Sequence, residues 1–139
     1  MSWEEKQNWI YLVVVTIAYL GYLAIIVERA RDTPITEISY AWPMLGAMLA
    51  SIVALIVGAI GAAIASPRDA DKRDERDERI AQRGEVLGIP VLSVGIFGAL
   101  ALTLAEAAHF WIGNAIYLSF VVTALVTTVI KLIHYRRGF

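Results

Sequence analysis

Glu106 and His109 stand three residues apart in an otherwise apolar stretch. On a helix that spacing puts a carboxylate and an imidazole on one face, the geometry from which some helical-bundle metal sites are built. One such pair supplies two ligands where a metal site normally takes more. Glu28, Asp32 or Glu37 would have to supply the rest, and nothing in the sequence makes them converge. An interfacial hydrogen-bonded pair that closes an apolar helix is the competing reading. His134 lies beyond the next apolar run and cannot join the pair.

Other chemistry is sparse. There is no cysteine, which removes thiolate nucleophiles, disulfides and cysteine metal sites. No Ser-His-Asp set, phosphate-binding loop or paired-carboxylate site stands out. The polar groups inside the apolar runs are hydroxyls: Thr16, Tyr19, Ser51, Ser93, Thr103, Ser119, Thr123 and Thr127. Coupled transporters and pumps usually carry ionisable residues near the bilayer midplane, and these runs have none there. The sequence therefore reads as a non-enzymatic protein without a cofactor.

The second concentration of chemistry is charge. Ser66-Pro67-Arg68-Asp69 reads as a helix start, with Ser66 as N-cap and Pro67 at the first position, so a charged helix is expected over 66–85. At about 100° per residue, Arg68, Lys72, Arg73, Arg76, Arg79 and Arg83 gather on one arc. Asp71, Asp74, Glu75, Asp77, Glu78 and Glu85 gather on another. The basic arc could rest on anionic headgroups while the acidic arc meets a cytoplasmic partner. The plainer reading is a solvated helix with i,i+4 pairs such as Asp69 with Arg73 and Glu75 with Arg79, each worth about 0.2–0.5 kcal/mol. The interaction surface is placed at Asp71, Lys72, Arg73, Asp74, Glu75, Arg76, Glu78 and Arg79. Basic residues mixed with as much acid make a poor nucleic-acid surface, so no direct nucleic-acid contact is expected.

These groups are set among elements that the bilayer dictates. Of the 139 residues, 58% are hydrophobic and 18% charged, too apolar for an ordinary soluble domain. Spanning hydrocarbon takes about 20 apolar helical residues. Four such stretches occur, read as spans at about 9–27, 43–65, 86–111 and 114–134 of a single membrane domain. Gly113-Asn114 is the expected turn between the last two, which carries the third helix past Glu106 to Trp111. Pro43 and Pro90 are expected near helix starts, where a missing N–H matters least. The fold class is thus all-α: an integral four-helix transmembrane bundle with a short charged helix between spans two and three.

Orientation follows from Lys and Arg. Four spans put the N-terminus, the central segment and the C-terminus on one side, with ten of these cations. Only Arg29 and Arg31 fall on the other. The positive-inside rule places both termini in the cytoplasm. Close packing is expected over small residues: Gly46, Ala50, Ala54, Gly58 and Ala62 ahead of Ser66 in the second span, Gly95, Ala99, Thr103 and Ala107 in the third, and Ala115, Ser119, Thr123 and Thr127 in the fourth. These ridges would meet inside the bundle or across a homo-oligomer.

Several stretches together resemble a group of small bacterial four-helix inner-membrane proteins without an assigned activity, often encoded beside small helix-turn-helix transcription regulators. They are Glu4-Glu5-Lys6 with Trp9; Ser66-Pro67; Asp71-Lys72-Arg73-Asp74-Glu75-Arg76-Asp77; Glu106-x-x-His109-Phe110-Trp111-Ile112-x-Asn114 with Tyr117; and Tyr135-Arg136-Arg137-Gly138. The resemblance implies a bacterial inner-membrane location and a regulatory link, with the regulator as a possible partner, and carries over no catalytic residue. The functional expectation is a regulatory or interaction protein in the lipid bilayer, self-associating; the alternative is a small oligomeric transporter or channel.

Overall fold

A computed structural model of the chain describes residues 2–68 and 74–137. Four helices make up the fold: α1 (Trp3–Ala30), α2 (Ala41–Ala65), α3 (Glu75–Leu104) and α4 (His109–Arg137), with a short 3-10 turn at Ile35–Glu37. Each helix is long and apolar enough to cross a membrane. Ser2 caps α1 by accepting the Glu5 N–H at 3.2 Å, and Glu4 and Glu5 suit the positive end of its dipole. The helices alternate in direction. One end brings Lys6 to Ser66 (Nζ to Oγ, 3.2 Å) and Arg136 over the Trp9 ring; this is the basic end. The far end joins Tyr40 to His109.

Apolar side chains point outward along most of the surface. Trp42, Ile64, Val94 and Leu104 are each at least 74% exposed, and no residue of α2 is buried. Apolar surface of this extent is what a membrane-crossing helix would turn toward acyl chains.

Among the described residues α4 is the hub. It packs along α3 and against α1, α2 packs on α1, and α2 and α3 share at most a marginal contact. The α3–α4 contact runs over small residues. Gly84, Gly88 and Ala99 are buried. A Cβ on Gly88 would come within 2.5 Å of Thr127 Oγ1, and one on Gly95 would overlap the Ser119 side chain and lie 3.3 Å from its Cα. The structure thus brings part of the small ridge of α3 against that of α4.

The far end is held by aromatic rings. Tyr22, 1% exposed, packs edge-on to Tyr117 with centroids 5.2 Å apart and donates to Asn114 Oδ1 at 2.5 Å. Tyr19 joins the same cluster, and Tyr40 stands edge-on to Phe110. Ile26, Ile38 and Val121 complete this core.

Three sequence expectations are corrected. The turn between the last two helices is not Gly113-Asn114 but residues 105–108, so α3 stops at Leu104. Gly113 and Asn114 lie inside α4 because packing uses them there: a Cβ on Gly113 would sit 3.0 Å from Tyr40 Cε2, and the Asn114 amide binds Tyr22. The charged segment is not a separate helix begun at Ser66. Ser66 is the C-cap of α2, donating its N–H to the Ala62 carbonyl, and α3 runs unbroken from Glu75 through the charged and apolar stretches. Pro90 is therefore in the helix interior, with no N–H for the Val86 carbonyl. The α2 ridge, expected to pack inside the bundle or across a homo-oligomer, is in contact within the single chain only in part. Only its lower part meets another helix, Gly58 against Ile10, with Ala62 half-buried below it; Gly46, Ala50 and Ala54 are exposed.

Helix contact through glycine predicts an asymmetric response to bulk. Gly95→Leu should lower stability by about 2–3 kcal/mol through overpacking, whereas Gly46→Leu should stay within about 0.5 kcal/mol. Thermal unfolding of both variants in detergent checks this; equal losses would contradict the helix order.

Candidate functional site

At the far end, Glu106 and His109 do not share a helix face. α3 closes in a complete Schellman arrangement: Glu106 N–H donates to the Thr103 carbonyl at 3.1 Å and Ala107 N–H to the Leu102 carbonyl at 3.0 Å. Glu106 takes the left-handed position with φ 52°, the only described residue other than glycine with positive φ. Ala108 then starts α4 by accepting the Trp111 N–H at 2.9 Å. Both side chains are exposed. No group of three or more metal-binding side chains occurs among the described residues. The far end is an aromatic closure with Glu106, exposed and in a left-handed backbone position, at its rim.

The basic end is where charge is built into architecture. The first eleven residues of α3, 75–85, extend about 16 Å beyond its apolar part at 1.5 Å per residue. This stem packs on the last turns of α4. Asp74 is its N-cap, and Asp74 N–H donates to Asp77 Oδ2 at 3.4 Å. Asp77 is buried and also accepts the Tyr135 hydroxyl hydrogen. Burial, that hydrogen bond and the negative charges of Asp77 and Glu4 hold the Tyr135 phenol well above its usual range, so it remains a donor. Ile80, 3% exposed, fills the contact one turn on. The Lys131 stem lies over Gly84, where a Cβ would come within 2.7 Å, and its Nζ is 3.8 Å from Glu85.

This placement sorts the charged residues singled out in the sequence. Asp77 belongs to the α4-facing side rather than to an open acidic arc. Glu75 and Glu78 are exposed, Glu75 3.8 Å from Arg79 as expected for an i,i+4 pair. Arg76 reaches the Tyr135 carbonyl at 3.4 Å. Asp71, Lys72 and Arg73 lie outside the described residues. Arg76, Arg79 and Arg83 converge with His134 around one cleft. Sequence reasoning found the arginines by their spacing but had no signal for His134, which comes from another helix.

A second cleft, about 650 Å³, opens between α1, α2 and α4 at the same end, lined in part by Gln7, Asn8, Thr127 and Lys131. Gln7 Nε2 is buried there without a hydrogen-bond partner among the described residues. Most of the hydroxyls noted in the sequence bind their own helix: Thr16, Ser93, Thr103, Ser119 and Thr123 donate to the carbonyl four residues back, and Ser51 to the one three back. They are thereby satisfied without an aqueous pore.

Comparison with protein families, with curated proteins and with solved structures gives no match. Function therefore rests on the geometry.

Glu106 offers a direct test of the far-end closure. Glu106→Gly should raise stability by about 1 kcal/mol by relieving the left-handed strain, read as a higher melting temperature in detergent. A fall instead would mean that the Glu106 side chain makes a contact worth more than the strain.

Proposed function

We propose that this protein is a multi-pass inner-membrane protein of the regulatory or interaction class rather than an enzyme, with both termini in the cytoplasm. Its α3 stem is the docking surface for a cytoplasmic protein. The observation that carries the reading is the stem itself: a charged helix rigidly continuous with an apolar one and tied to α4 through Asp77 and Tyr135. Rigid placement lowers the ordering cost that a partner would otherwise meet. Glu75 and Glu78 face outward, so the partner presents basic groups; a DNA-binding regulator, as the resemblance implies, has that chemistry. The ten-to-two distribution of Lys and Arg supports the orientation. Self-association through the exposed Gly46, Ala50 and Ala54 is part of the same reading.

Cross-linking in native membranes tests it. The wild type should capture a cytoplasmic protein, and changing Asp71, Glu75 and Glu78 to Asn or Gln should cut that yield at least fivefold while leaving cross-links between copies unchanged. Ala50→Leu should reduce only the latter. Recovery of nothing but the chain itself, in wild type and variant alike, would end the docking reading.

The cleft between α1, α2 and α4 favours a second reading, a small oligomeric transporter or channel, because Gln7, Asn8, Thr127 and Lys131 give it a partly polar lining. Substrate-dependent flux in proteoliposomes, lowered several-fold by Gln7→Leu, is the expected result; no flux across a panel of small polar solutes would discard it.

A further inference from the structure

At the level where the charge of α3 gives way to apolar sequence, its face toward the end of α4 forms a cationic cleft of about 180 Å³, lined by Arg76, Arg79, Ile80, Arg83 and His134. The three arginines recur at i, i+3 and i+7, one side of the helix. His134 Nδ1 donates to the Ile130 carbonyl at 2.8 Å, which fixes the ring against its own helix. A wider groove of about 450 Å³ shares Arg79, Arg83 and His134 and continues onto Val86 and Leu87. Among the described residues the linings of both spaces hold no carboxylate. On the same stem Asp77 is engaged with Tyr135 on the buried side, and Glu75 meets Arg79 across 3.8 Å with both side chains more than three-quarters exposed, a pairing of little strength.

We infer that this cleft and groove are a binding site for one anionic phospholipid, its phosphodiester held by Arg79 and Arg83 beside Arg76 and His134, and its acyl chain lying along Val86 and Leu87. Guanidinium groups match phosphate oxygens in a bidentate fork, and basic pockets between helices at the cytoplasmic boundary suit such headgroups. What singles out a lipid over a soluble anion is the order along the helix. The cations end where the apolar run begins, so an amphipathic molecule is matched at both ends, whereas free phosphate would use only the cleft. The site differs from the docking surface, which uses the outward acids of the stem. It rests on the membrane-spanning reading of α3 and α4, and release of the chain from membranes by alkaline carbonate would defeat that reading separately.

The test uses the full chain in nanodiscs of phosphatidylcholine containing a minor share of phosphatidylglycerol, with retained lipid counted by native mass spectrometry. Phosphatidylglycerol should be retained preferentially. Arg79→Gln/Arg83→Gln should weaken retention about fivefold per arginine, while Arg68→Gln/Arg137→Gln, with the same change in charge, should leave it unaltered. A phosphatidylglycerol carrying a photoactivatable acyl chain should label the wild type at the segment holding Val86 and Leu87, a readout that needs no variant to fold. Equal retention of the two lipids, equal loss in both double variants, or labelling spread evenly over the helices would overturn the assignment. Displacement of the lipid by millimolar inorganic phosphate would reassign the cleft to a soluble anion.

Discussion

Backbone approach between α3 and α4 is the constraint on which the rest of the molecule depends. For helices apolar enough to cross a membrane, acyl chains are as apolar as leucine, so association depends on close contact and the few polar bonds they can share. Gly84, Gly88, Gly95 and Ala99 allow that contact over most of the length of α3, and the hydroxyl row of α4 fits into the space left by their missing side chains. Because the pairing continues into the charged stretch, the stem inherits its rigidity from the apolar part below it. Where the glycines end, Asp77 and Tyr135 continue the attachment with a buried hydrogen bond.

The opposite end solves a different problem. There α1 meets α4 through rings rather than through glycine, and the bond from Tyr22 to Asn114 satisfies the amide that a four-helix apolar interior would otherwise strand. The Asn114 side chain also donates to the Phe110 carbonyl at 2.8 Å, so one residue stitches its own helix and the neighbouring one. The two ends therefore differ in kind: an aromatic closure at one, and clefts with polar linings at the other.

Four long apolar elements and their alternation were legible because hydrocarbon thickness leaves a chain few options. The errors share a cause: local rules were applied where packing had first claim. Gly113 and Asn114 are the residues that rules of helix termination select, yet their small size and amide serve the contacts with Tyr40 and Tyr22, and the left-handed position passes to Glu106. The border between charge and apolarity near Val86 was read as a border between elements, although a helix backbone is indifferent to that change and even Pro90 does not interrupt it. His134 was invisible as a partner of the arginines because nothing in one sequence ties the end of α4 to the start of α3. The α2 ridge was the most regular pattern in the chain and proved the least enclosed, since periodicity identifies a face without saying what lies on it.

The position of α4 as hub has a consequence for biosynthesis. Chains emerge from the ribosome N-terminus first, so α1, α2 and α3 are all made before the helix on which α1 and α3 both pack. Until α4 is made, Tyr22 has no Asn114 to bind, the glycines of α3 have no partner helix, and Asp77 has no Tyr135. The contacts that close both ends of the molecule therefore become available only once the fourth helix has been made.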